Sequence, residues 1–546
     1  MQTISSVPGL HLSSTSSAGV ANLVEDLPPR ECCDYLVTVF FTHISPLFDV
    51  VHGPTFQKQY AQFVQDPTAV QLSWLALLFV ICASALNTVE DNDLALTNFR
   101  ATQKDDQQVD TSSLSRKLFD TAFACLSQDR FFFNHDLSTL EALLLAIYVI
   151  CHSEGVERGW VLLGTALNIG IALRCNTGSK RGSVGDNERR RRCWAGILML
   201  HTYQGIVFRD VDMSYLLSID SSLRKDTDLM NSGDRRSTQL PEGPEFASLM
   251  HYKLRLFTLS NRICSYTWNL EQTCDGQIDI FNTAIAAEQQ QWDANYLVDG
   301  APSILDTASY AHWCILQTYA HQLYLLVHRR FYRSRSNSFR IQSRDMYLES
   351  SMSLMDLHRQ LCEIPRLRNY RWLAKGMTSF NAFQGAVALA SCLLDQHNDV
   401  QQIRYKDTFD ATVARFENLQ TSSPVCAKTY PVLRDLQYVS SRWLCFKADR
   451  QRSHLADHVE STTSAAVAVD PFEQWIEQVN LLDTVSSEWV SYFLHMVSPY
   501  ASADVGNFTN NTDVARQFLR LKAARYVERK MGRITTGVHQ KQSGAD

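Results

Sequence analysis

Fourteen cysteines, sixteen histidines and one run of four arginines are the residues here with the most chemical potential. No two cysteines stand in a C-x-x-C pair, so neither a zinc ribbon or finger nor a thioredoxin-type motif can be built from them. Scattered instead along apolar stretches, they are expected to act as small buried hydrophobes in a reducing compartment. His312, His321 and His328 share one long predicted helix, the last two on one face. No carboxylate stands three or four residues away to complete a metal site, which favours polar groups at a helix–helix seam. Glu188 followed by Arg189, Arg190, Arg191 and Arg192 offers a candidate nuclear-import or phosphate-binding patch. Against it stands the solvated start of a helix, because four adjacent residues spread around a helix. Gly159 and Gly164 have P-loop spacing, but Thr165 follows where a lysine is needed, so close helix packing is the better use for both. H-E-x-x-H and G-x-S-x-G are absent, and an enzyme has no catalytic vocabulary to support it.

The elements that must position these residues are helices. The chain of 546 residues is 45% hydrophobic, enough for a large core, and its few glycines and prolines argue against a many-turned β fold. Trp160, Leu163, Leu167 and Ile171 recur at helical steps, as do Leu316, Ala320, Leu323 and Val327. Phe380, Phe383, Val387, Ala390 and Leu394 form a third stripe, and Val432, Leu436, Val439 and Trp443 a fourth. The fold class that follows is all-α. The apolar run Leu72 to Leu86 is too short for a membrane span and suits a buried helix. A net charge of −6 gives no global basic field to draw the chain onto DNA or a membrane.

Four segments are expected: a disordered leader over 1–29, a helical body over 30–450, a linker over 451–470 and a C-terminal segment over 471–546. Polar stretches at Gln103 to Ser113, Thr177 to Asp186 and Arg224 to Gly243 read as loops. Phe472, Trp475, Ile476, Leu481 and Leu482 sit among acidic residues, a mixture suited to an activation segment or to an ordinary packed helix. The run Asp513 to Arg533 is a basic amphipathic helix candidate.

Several segments together carry a family resemblance. Phe40 to Phe56 ends in a P-T-F turn at Pro54, Thr55 and Phe56, and is followed by Leu72 to Phe79 with Trp74. Leu140 to Arg174 contains a W-x-x-x-G-x-A helix at Trp160, Gly164 and Ala166. Glu188 to Leu200 resembles an E-x-R-R-R-x-W helix ending on Trp194, and Leu326 to Phe331 an L-x-H-R-P-F element with His328. In order and spacing these resemble the fungal-specific transcription factor domain, the helical regulatory region that usually follows a binuclear zinc cluster. Ala195, Asp210 and Arg330 depart from its common pattern.

The resemblance implies a nuclear, pathway-specific transcriptional regulator, for example of a secondary-metabolite gene cluster. Its partners would be other transcription factors or coactivators, a second copy or a homologue in a dimer, and a small-molecule effector. The paired C-x-x-C-x(6)-C cage of the zinc module is not in this sequence, where only Cys32 and Cys33 lie near the start. No cofactor is therefore expected, and DNA is expected to be reached through partners. The alternatives are a helical module that inhibits a finger-bearing homologue and a truncated version of a zinc-cluster DNA binder.

Overall fold

The computed structural model describes residues 20–91, 93, 96, 110–177, 183–208, 249–268, 275–303, 305–328, 337–393 and 402–457. They are helical almost throughout. The order is α1 (Val20–Glu25), α2 (Arg30–Val39), α3 (Gly53–Gln65), α4 (Leu72–Leu86), α5 (Thr111–Gln128) and α6 (Leu137–Ser153). There follow α7 (Val156–Ala172), α8 (Val184–Phe208), α9 (Leu249–Trp268), α10 (Asp275–Tyr296), α11 (Thr307–His328) and α12 (Asn337–Glu363). A 3-10 segment (Pro365–Lys375) leads into α13 (Met377–Leu393), α14 (Gln402–Leu419) and α15 (Pro424–Asp457). Two-residue strands, Leu297–Val298 and Ala301–Pro302, make the one small antiparallel pair among the described residues. The all-α expectation holds.

The core of this body forms around α4, 14 of whose 15 residues are buried. A helix apolar on every side has to be covered on every side, and α2, α5 and α6 pack on it. Among the described residues no helix is long and apolar enough to cross a membrane. The N-terminus of α6 is fixed by a capping box in which the Asp136 carboxylate accepts from the Thr139 amide at 2.8 Å. The same carboxylate accepts from the Ser73 hydroxyl at 2.9 Å, so one acid both caps α6 and ties it to α4. Between α6 and α7 the chain reverses at Gly155, whose φ of 135° is open to glycine and strained for other residues.

Several boundaries differ from expectation. Val20–Glu25, inside the expected leader, is helical with Leu23 buried, because a single apolar anchor and the Lys117–Asp26 ion pair give it somewhere to dock. The polar stretches end early: α5 begins at Thr111, where Asp110 accepts from the Ser113 amide, and α8 begins at Val184. The chain divides into two compact units, 1–434 and 435–546, where the helical body was expected to run to residue 450. The expected linker starts inside a helix, since α15 continues to Asp457. Residues 471–546, with Phe472, Trp475, Ile476, Leu481 and Leu482, lie outside the described residues.

The inward face of α7 is also displaced. Of the predicted stripe only Leu163 is buried; Trp160 and Leu167 are half-buried and Ile171 is 41% exposed. The packed face is Gly159, Leu163, Ala166, Ile169 and Gly170. Small residues win that face because a neighbour needs the space: a Cβ on Gly170 would come within 2.5 Å of Ile197 Cδ1. Gly159 is similarly close to Ile147 and Cys151, whereas a Cβ on Gly164 would meet nothing within 4 Å. Of the two glycines assigned to packing, Gly159 fulfils the role and Gly164 does not.

Candidate functional site

Two buried polar clusters flank the meeting of α6 and α8. The first is built by the arginine run. Arg189, 7% exposed, donates from Nε to Glu141 Oε1 at 2.8 Å and from Nη2 to Glu141 Oε2 at 2.9 Å. The same Nη2 reaches Ser138 Oγ at 3.0 Å. Arg190 donates to the Leu173 carbonyl, Arg191 pairs with Glu188, and Arg192 pairs with both Glu188 and Asp49. Burial pushes the Glu141 carboxyl up while the Arg189 guanidinium pulls it back. Neither an exposed basic patch nor a solvated helix start describes these residues: Arg189 is buried and Arg190 to Arg192 are half-buried. The physical reason is that acids remote in sequence, on α6 and before α3, wait on the inner side of α8.

Of the other family-motif residues, Phe56, Trp74, Trp194 and His328 are buried. Pro54 sits in the first turn of α3, where its missing N–H costs nothing. Phe56 is buried and stacks on Trp74 at 5.8 Å between centroids. Trp194 is buried against the space that Gly170 leaves open. His328 is buried between Asn282 Oδ1, 2.9 Å from Nε2, and Ser343 Oγ, 3.2 Å from Nδ1, which satisfies both ring nitrogens at the α10–α11–α12 seam. Among the described residues no group of three or more His, Cys, Asp or Glu side chains could hold a metal ion. The described cysteines are free thiols, and nine of them are buried.

The second cluster was not singled out from sequence. Tyr148 and His152, one turn apart on α6, meet edge to face at 4.5 Å, and Phe48 stacks flat on Tyr148 at 4.4 Å. Trp372 from the 3-10 segment and Tyr203 from α8 meet the His152 ring edge-on at 5.9 and 6.1 Å. Tyr203 stacks on Tyr319 of α11, their hydroxyls 2.6 Å apart. Lys253 of α9, fully buried, donates from Nζ to the Leu47 carbonyl at 2.6 Å and lies over the Tyr148 and Tyr319 rings. Burial brings its ammonium down to about 7. Burial, with the field of Lys253 behind it, takes His152 down to about 3, so its imidazole is neutral at physiological pH.

The Tyr148, His152 and Tyr319 rings line a chamber between α6, α11, the 3-10 segment and α13. About 290 Å3 of non-atom space lies there, open solvent included, and within it there is room for about one water. Tyr148, His152, Thr318, Tyr319, Met377 and Asn381 are among its walls. Gly376, next to the lining residue Met377, packs against α6 so closely that a Cβ there would fall 2.4 Å from the carbonyl of His152. His152 is 3% exposed and Asn381 1% exposed, yet neither imidazole nitrogen and neither end of the Asn381 amide has a hydrogen-bond partner. A single Lys in a hydrophobic stretch (Tyr252, Lys253, Leu254) and a His closing an apolar run (Val149, Ile150, Cys151, His152) were the only local signals of this site.

A Ser–His contact elsewhere does not form a nucleophile site. His358 Nε2 lies 3.0 Å from Ser379 Oγ, but Ser379 donates its proton to the Ala374 carbonyl and is fully buried.

Comparison with known proteins adds the family. The family model described as the fungal specific transcription factor domain matches residues 37–292. The pyrrolocin cluster transcription factor of a fungal species is 26% identical, with 74% of this chain and 54% of that protein covered. The fusarisetin A cluster transcription factor of a Fusarium species is 22% identical, with 74% of this chain and 56% of that protein covered. An uncharacterized transcriptional regulatory protein of Schizosaccharomyces pombe is 28% identical over 32% of this chain and 27% of its own length. The chain thus spans between about a quarter and somewhat over half the length of these relatives. With the Pro54–Phe56 turn, Trp74 and the Arg189–Arg192 helix at fixed places in a helical core, residues 37–292 match the fungal specific transcription factor domain.

Proposed function

We propose that this protein is a pathway-specific transcriptional regulator acting in the nucleus, and that its helical body is the regulatory platform. The observation that carries this is the family match over 37–292, in a chain 74% of which aligns with proteins named as the fusarisetin A and pyrrolocin cluster transcription factors. A predominantly helical body with a paired Arg189–Glu141 core and a separate chamber of unpaired polar groups supports a sensing role over a catalytic one. Its partners in this reading are other transcription factors or coactivators, with DNA contacted directly or through them.

The test is chromatin occupancy of the epitope-tagged chain together with transcript profiles after gene deletion. Enrichment at a small set of promoters, with coordinated change of the adjacent transcripts, is the expected result. Absent enrichment together with an unchanged transcriptome overturns the reading. If overexpression lowers the same transcripts that deletion raises, the protein acts as a repressor or as the inhibitor of a homologous activator.

A further inference from the structure

The structure assigns a ligand to the chamber lined by His152 and Asn381: we propose that it receives a small neutral molecule whose planar edge carries adjacent hydrogen-bond donor and acceptor groups, as in an amide or lactam. The geometry that points there is the state of two side chains. Asn381 offers a donor and an acceptor on one planar amide, and both are unpaired although the residue is 1% exposed. The imidazole of His152 offers a second donor and acceptor on the opposite helix, also unpaired. Buried polar atoms without partners are uncommon in folded proteins, and four such atoms on two residues lining one chamber call for an occupant.

The walls select the class. Ile315, Leu373 and Met377 supply apolar surface, and Tyr148 and Tyr319 supply ring faces. Among the described residues no carboxylate, arginine or lysine lines the space; Lys253, behind the Tyr148 and Tyr319 rings, donates to the Leu47 carbonyl. An anion or cation would therefore enter without a counter-charge, whereas a neutral amide edge would satisfy Asn381 and His152 together. The space now fits about one water, so the polar edge takes that place, and the apolar body needs Met377, itself 1% exposed, to change rotamer.

This deepens the regulatory reading by naming what the helical body would respond to, and it is tested by binding alone, so its failure is separate from failure of that reading. Benzamide is the probe, with benzoate and toluene as the charged and the purely apolar comparisons. Calorimetric titration of the full chain should show saturable benzamide binding at millimolar concentration and a thermal midpoint raised by about 1–2 °C at saturation. Benzoate and toluene should each bind at least tenfold more weakly. Asn381→Leu should weaken benzamide binding at least tenfold while leaving the unliganded chain as stable as before or more so, since the leucine fills the site without orphan polar atoms. Absence of saturable benzamide binding means a bound water only and overturns the proposal, as does equal binding of all three probes. Should Asn381→Leu fail to fold, the ranking of the three probes on the native chain decides by itself.

Discussion

The two polar clusters beside α6 lie within one core and differ in one respect: the Arg189–Glu141–Ser138 cluster is saturated and the His152–Asn381 cluster is not. In the first, two guanidinium nitrogens meet both carboxylate oxygens of Glu141 and a serine hydroxyl at 2.8 to 3.0 Å. In the second, two side chains of equal burial leave both ends of an amide and both nitrogens of a ring unpaired. Saturation is what a structural network needs, because a half-satisfied one costs more than an apolar core. In the proposal above, the orphaned groups of His152 and Asn381 take their partner from outside. Polarity alone did not separate the two; the count of partners does.

Breaking the saturated cluster should have the largest effect. Glu141→Ala leaves Arg189 charged, buried and unpaired, and should cost about 3–5 kcal/mol in urea unfolding of the full chain. Replacing both partners together, Glu141→Leu with Arg189→Met, should recover most of that loss, because the penalty lies in the orphaned charge. If the single and double variants are equally destabilised, packing and not charge pairing holds this region, and the contrast with the second cluster disappears. Next comes the contact that packs Gly376 against the backbone of His152. A methyl group at Gly376 would stand 2.4 Å from backbone atoms of His152, which cannot rotate aside. Gly376→Ala should therefore cost about 1–3 kcal/mol and abolish benzamide binding, while leaving the Glu141 double-variant recovery unchanged.

Acid should distinguish the clusters without any substitution. His152 has its pKa lowered from 6.5 to about 3, and burial lowers His201 from 6.5 to about 4. In the unfolded chain both imidazoles take a proton below about 6.5, whereas in the folded chain they stay neutral down to those lowered values. Stability is thus full above pH 6.5 and falls as pH drops toward 4 and then 3, by at most about 1.4 kcal/mol per pH unit and group. Glu141, pushed up by burial, changes stability in the opposite sense. His152→Leu should flatten the fall between neutrality and about pH 5 in urea titrations, and an unaltered slope would mean that the ring is not buried neutral.

Much of the fold was legible in the residues, for reasons of period and composition. Leu72 to Leu86 is apolar without a preferred face, and it lies where such a helix must, covered on all sides. The cysteines had no ligand spacing, and the described ones are buried thiols or half-buried ones. Where legibility failed, the deciding partner was remote. Arg189 reads as part of a surface run until Glu141, 48 residues earlier, is brought beneath it, and Asp49 lies 143 residues from Arg192. On α7 the large side chains suggested one face, but steric need along α6 and α8 selected the face with Gly159 and Gly170. The chamber draws its walls from α6, α11, the 3-10 segment and α13, so no window of sequence contains it. Fixed-window reading also cannot report an unpaired atom, since pairing is a property of the assembled core.

The smallest effect tests whether orphaned polar atoms by themselves mark a ligand site. His201, on α8, is 4% exposed and has both ring nitrogens unpaired, but it does not line the chamber. His201→Leu removes those atoms in favour of apolar volume and should leave the chain unchanged or up to about 1 kcal/mol more stable. Benzamide affinity should stay within twofold of the native chain, in contrast to Asn381→Leu, where the same exchange removes the hydrogen-bonding edge. Should His201→Leu weaken benzamide binding as strongly as Asn381→Leu, the response is a general consequence of loosening a core with unpaired groups. The contrast between a saturated and a ligand-ready cluster would then reduce to a contrast in rigidity.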